Sequence, residues 1–172
     1  MAPPLETRRK YFTVEEANRT LPLVRMIVSD IVEQFRAVEE LGGRLSALQA
    51  KTSVMRKPHE KKATGEAASD SYAEERAQSQ LELEALEAKL RDYIEELEKL
   101  GVELKGPNGL CDFPSLKDGR EIYLCWTLGE PEVAYWHELH TGVAGRQPIK
   151  GPQAAASAAP TRSGPRAKPP TS

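Results

Sequence analysis

In the segment Glu132-Val-Ala-Tyr-Trp-His-Glu-Leu-His140, two imidazoles, His137 and His140, stand three residues apart with Glu138 between them. These types could ligate a metal or move protons, but the spacing is one residue short of the His-Glu-x-x-His zinc pair. On a helix both rings could reach one ion. On a strand an odd separation turns them to opposite faces, and only one could. The segment reads as a strand, with a helical turn as the alternative. As a strand, it puts His137 on one face with Tyr135 and Val133, and a metal there draws on Glu130, Glu132, Asp112 or Glu103. Imidazole with carboxylates suits Zn, Fe or Mn. The metal candidates are therefore Glu130, His137, Glu138 and His140. The competing reading is a histidine that hydrogen-bonds a carboxylate or backbone group for structure alone.

Three further sets could also carry chemistry. Cys111 and Cys125 could join His137 and His140 in a four-ligand zinc site, if a hairpin centred near Asp118 pairs the cysteines. Zinc modules usually place their first two ligands two to four residues apart, so buried apolar thiols are the simpler reading. Gly142-Val-Ala-Gly-Arg146-Gln-Pro148 combines two glycines with a guanidinium, which could offer backbone N–H groups and a planar cation to a carboxylate or phosphate. The alternative is a turn whose Arg146 pairs with Glu130 or Glu132. Asp112 and Glu130 could be paired acids, yet no nucleophile or phosphate loop accompanies them.

The elements that must position these groups follow from periodicity. Thr13 and Glu16 have the spacing of a capping box, with Phe12 and Ala17 as a modest staple, so a helix starts at Val14. Pro22 either kinks this helix or ends it after Arg19, with a restart at Pro22. Leu21, Val24, Val28, Ile31, Phe35, Val38, Gly42 and Leu45 then keep heptad spacing, and Leu23, Ile27, Val32, Leu41 and Leu48 widen the stripe. Residues 57–71 are polar, contain Pro58 and Gly65, and read as a loop. A second seam follows in Leu83, Leu86, Leu90, Tyr93, Leu97 and Leu100, closed by Gly101 as a left-handed cap. Two such helices form an antiparallel hairpin. It buries little alone, so the rest of the chain packs along it or two copies make a four-helix bundle.

After Val102 the period changes to two. Leu110–Phe113 reads as a short strand ended by Pro114, and Arg120–Thr127 as a second, joined by Lys117-Asp-Gly119. The C-terminal third is thus a small antiparallel β element, holding Trp126 and Trp136 as its large apolar side chains.

Composition fits this division. There are 24 Lys+Arg against 26 Asp+Glu, a net charge of −2 that argues against a nucleic-acid binder. Leu, Ile, Val and Phe number 35 of 172, near the limit where chains stop folding. None of the 35 lies in residues 151–172, a stretch of Ala, Pro, Ser and Thr with three basic residues that reads as a disordered tail. The expected organisation is a flexible N-terminus (1–10), one domain (11–150) made of a helical hairpin (14–101) and a β element (102–150), and the tail (151–172). No apolar run is long enough to span a membrane, and no leader is apparent, so a cytoplasmic protein with reduced thiols is expected.

Three segments together resemble a known pattern: Tyr11-Phe-Thr-Val-Glu-Glu-Ala-Asn-Arg-Thr-Leu-Pro-Leu-Val24, Gly109-Leu-Cys-Asp-Phe-Pro114, and Gly119 to Pro148 with its Gly-Glu-Pro-Glu, Trp-His-Glu-Leu and Gly-Arg-Gln-Pro signatures. They are similar to a bacterial family catalogued as a domain of unknown function, over about residues 11–150. The resemblance implies a helical front half, but no activity, substrate or catalytic residue. In that family the positions of Cys111 and His140 are commonly an aliphatic residue and an acid. The fold class expected is α+β, a long coiled-coil hairpin carrying a small antiparallel β element.

Two functions compete. The leading one is a noncatalytic interaction or scaffold protein, whose hairpin self-associates or docks a partner helix and whose β element offers a polar pocket. The other is a small divalent-metal- or anion-dependent enzyme or binding protein. In it Glu130 and His137 hold an ion, Glu138 or His140 completes the shell or moves protons, and Arg146 binds an anion.

Overall fold

The structure, a computed structural model, describes residues 9–55 and 65–149. The expectations for residues 1–8, for residues 57–64 of the inter-helix loop and for the tail lie outside the described residues. Two helices, α1 (Val14–Met55) and α2 (Gly65–Lys99), precede five strands: β1 (Glu103–Leu104), β2 (Leu110–Lys117), β3 (Arg120–Thr127), β4 (Tyr135–Glu138) and β5 (Gln147–Pro148). The strands form an antiparallel meander in the order β1-β2-β3-β4-β5. The protein is α+β.

The capping box forms as its spacing predicts. Glu16 N–H donates to Thr13 Oγ1 at 3.1 Å, and Thr13 N–H donates to the Glu16 carboxylate at 3.0 Å. Phe12 and Ala17 are both buried in one core. At Pro22 there is no stop and restart, because α1 runs through it unbroken. Pro22 removes one hydrogen bond at a cost of about 3 kcal/mol. Leu21, Val24 and Val28 on either side of it are buried, and each buried side chain of this size returns about 1.5–3 kcal/mol. The wider stripe is also narrower than expected at one place: Leu23 is 45% exposed.

The second helix begins earlier than its seam suggests, at Gly65 rather than after Ser71. Polar residues such as Glu66 and Ser69 carry no apolar period, so nothing in the pattern marks this first part. Gln34 donates from its side chain to the Leu86 carbonyl, and Gly101 lies against Lys10 and Phe12. The end of α2 therefore meets the start of α1, and the pair is antiparallel. Gly101 adopts φ +87°, and the Gly101 and Val102 N–H groups close the helix end onto the Glu98 and Leu97 carbonyls.

Pro114 does not end its strand. Its carbonyl accepts the Phe12 N–H at 2.7 Å, on the edge of β2 that faces away from β3. The missing proline N–H lies on that same edge, so the β2–β3 ladder loses nothing. Asp118 and Gly119, both at positive φ, make the two-residue turn to β3.

Alternation then sorts the sheet. Cys111, Phe113, Ile122, Leu124, Trp126 and Trp136 share one face and join Val24, Val28, Ile31 and Leu97 of the helices in the core. Asn18 of α1 locks the chain entering β4: its Oδ1 accepts the Val133 N–H at 2.8 Å and its amide donates to the Val133 carbonyl at 3.4 Å. Arg25 donates to the Glu130 and Pro131 carbonyls. Val133 consequently packs in the helix-side core, outside β4, and does not share the face of His137.

Gly109 is the tightest meeting of helix and sheet. It sits at φ +84°, and a Cβ there would lie 2.7 Å from Leu128 Cβ and 2.9 Å from Val28 Cγ1. Gly109→Ala is expected to lower unfolding free energy by about 2–4 kcal/mol, combining a left-handed backbone with overpacking. Urea denaturation, with Gly119→Ala in the open turn as the reference for positive φ alone, checks this.

Candidate metal centre

On the other face of the sheet, away from the helices, polar side chains are buried. Asp112 on β2 stands opposite Cys125 on β3, and Cys125 opposite Tyr135 on β4; in the next row Tyr123 stands opposite His137. Asp112, Cys125 and His137 are 4%, 0% and 2% exposed. One donor atom from each, a carboxylate oxygen, Sγ and a ring nitrogen, lies within 4.8 Å of the other two.

Hydrogen bonding fixes the protons. His137 Nδ1 faces the Glu138 carbonyl at 2.8 Å and must carry a proton, since a carbonyl only accepts. His137 Nε2 lies 3.0 Å from Asp112 Oδ1, a contact that needs a second proton between them. Burial first, and then the neighbouring Asp112 carboxylate, raise the pKa of the Cys125 thiol. Asp112 thus stands between the imidazole and the thiol, in a site that burial makes costly for any unbalanced charge.

Long side chains flank this row. The Tyr123 ring centroid is 5.5 Å from that of His137. The Tyr123 hydroxyl and Glu103 meet Arg9, whose guanidinium is 2.7 Å from each, so Arg9 is engaged rather than free. Burial opposes the Glu103 charge, but Lys105, Arg9 and Tyr123 outweigh it and hold its carboxyl below the usual carboxylate range. On the other side Arg146 stacks over Tyr135 and donates to Glu130 at 2.7 Å and to the Cys125 carbonyl at 3.4 Å. Glu130 raises the Arg146 pKa further. Glu130 also accepts the Thr127 N–H at 2.8 Å, while its own carbonyl takes the Trp126 indole N–H at 3.0 Å.

The residues named from sequence fall as follows. His137 is in the cluster. Glu130 is held by Arg146 and Thr127 beside it. Glu138 alternates to the opposite side of β4 and meets Arg120 at 3.2 Å. His140 is exposed in the turn after β4. Cys111 and Cys125 do not pair, because the register sets Cys111 opposite Trp126 and turns the two thiols to opposite faces. Counting back from the Lys117↔Arg120 pair at the turn places Asp112 across from Cys125. That count, available in the sequence, is the signal that assembles Asp112 with Cys125. Nothing in the sequence marks the roles of Asn18, Arg25 or Arg9.

Fold and cluster together define an α+β protein with a helical hairpin on one face of a meander and a buried Asp-Cys-His set on the other. The chain belongs to the DUF2203 family, described as an uncharacterized conserved protein, whose model matches residues 10–149. No curated protein and no solved structure matches it.

Burial, with the neighbouring Asp112 charge, pushes both thiols up to about 12. At pH 8 the folded, metal-free protein should therefore react with iodoacetamide about a thousandfold more slowly than a free thiol, because so little thiolate is present. Mass spectrometry of labelled protein, native against urea-unfolded, reads this directly.

Proposed function

We propose that the protein is a divalent-metal protein, with zinc the ion its donors suit best, held by Asp112 Oδ1, Cys125 Sγ and His137 Nε2. One observation carries this: three donors of the types zinc prefers converge in a buried site, and the one histidine among them has its other ring nitrogen tied to a carbonyl. That backbone bond is the outer partner a metal-bound imidazole needs. Zinc bonds of about 2.0–2.3 Å put tetrahedral neighbours roughly 3.3–3.7 Å apart, and here His137 Nε2 and Asp112 Oδ1 are 3.0 Å apart with all three donors within 4.8 Å of one another. The exchange is also electroneutral. A divalent ion replaces the thiol proton and the proton between His137 and Asp112, so the buried site gains no net charge.

Three protein ligands leave a fourth position for water or a small anion. Arg146 supplies a cation beside it. Its Nε is buried with no hydrogen-bond acceptor among the described residues. This supports an anion-binding role for Arg146, with Glu130 as its anchor. Reduced thiols suit a cytoplasmic setting, and among the described residues no helix is long and apolar enough to cross a membrane.

Purified protein should bind one zinc per chain. At a hundredfold excess over the dissociation constant, binding adds about 2.7 kcal/mol of stability. Cobalt should give a thiolate charge-transfer band that Cys125→Ser abolishes and Glu138→Gln leaves intact. The affinity should rise with increasing pH, by up to about a hundredfold per unit where binding releases two protons. No stoichiometric metal, or cobalt binding indifferent to Cys125→Ser and Asp112→Asn, overturns the proposal.

A second reading, the hairpin as an association surface for a second copy, is favoured by Val54 and Leu81, which are 68% and 62% exposed. It expects a dimer in sedimentation that Leu81→Asp dissociates. A monomer at high concentration counts against it.

A further inference from the structure

A cleft of about 700 Å³ lies on the helix-side face of the sheet, beside the start of α1. Its floor is Ile122, Leu124 and Trp136. Residues 11–14 wall one side and Gln147–Ile149 the other. This volume lies in the range of small-molecule sites, which are concave, largely apolar and equipped with few polar groups.

The polar groups around it narrow the ligand. Tyr11 bonds Glu121 through its hydroxyl, Thr13 is spent on the capping box, and the Ser115 hydroxyl donates to the Phe12 carbonyl at 2.6 Å. Among the described residues one charged side chain lines the cleft, Lys117, with its ammonium 3.7 Å from the Trp136 ring centroid. Among the described residues no carboxylate lines it. One ammonium answers a single negative charge; a phosphate would call for several cations or a fork of donors.

We infer that this cleft binds a medium-chain carboxylate, with its alkyl chain along Ile122, Leu124 and Trp136 and its headgroup at Lys117. The site lies on the opposite face of the sheet from Asp112, Cys125 and His137, and it does not depend on a metal there. Gln147, opposite Trp136 in the ladder and exposed, stands at the rim.

Isothermal titration of the full chain with decanoate and with neutral decanol tests this. One saturable site is expected for both, with decanoate the tighter. Lys117→Glu should weaken decanoate at least about tenfold and leave decanol unchanged. Gln147→Trp, which narrows the rim at an exposed position, should weaken both. Three outcomes overturn the inference: no saturable binding of either compound, decanoate affinity indifferent to Lys117→Glu, or a dimer that decanoate dissociates, which would make a second copy the occupant. Circular dichroism of each variant confirms that the comparison is between folded proteins.

Discussion

A meander whose outer strands are two residues long has one apolar face and too little area to fold around it. Its stability depends on α1 lying across Phe113, Leu124 and Trp126, and three contacts hold α1 there. Phe12 joins the free edge of β2 through its backbone, Asn18 takes both backbone groups of Val133, and Arg25 reaches the carbonyls of Glu130 and Pro131. They are spread over the helix lead-in and its first four turns. The sheet is therefore fixed to the start of the hairpin, and the capping box works at the place where the two halves join.

From this follows the division of labour between the two faces. The side chains that alternate away from the helices would ordinarily be solvated, yet Asp112, Cys125 and His137 are short enough to be covered by Tyr123, Tyr135 and Arg146. The charged groups around them are paired locally, Arg9 and Lys105 with Glu103 and Arg146 with Glu130. An enclosed polar cluster on an otherwise exposed sheet face costs desolvation without contributing to the main core.

Much of the architecture was legible in the residues. Heptad spacing located both seams, the Thr13-x-x-Glu16 pattern located the start of α1, and Asp118-Gly119 located the hairpin. Of the two readings of Pro22, the stop and restart fails because α1 runs on through it, and Pro114 does not end its strand because its missing donor lies on the edge away from β3. The site was half legible. His137 stood out by type, but its partners lie on two other strands, and a shift of one residue in the assumed register put Cys111 where Asp112 belongs. Glu138 and His140, adjacent in sequence, are separated from His137 by strand alternation and by the end of β4. Sequence proximity is a poor guide on a strand, where the neighbours that matter are across the ladder.

Pro114 and Pro148 have a joint consequence. Beyond the short β1, one edge of the sheet is β2, and there Pro114 offers no donor while Phe12 already occupies its acceptor. The opposite edge is β5, which is Gln147 and Pro148, two residues with half the usual donors. A growing stack of strands needs an unbroken row of both donors and acceptors, and neither border of this sheet presents one. Among the described residues, then, neither border of the meander offers a ready template for adding a strand from another chain.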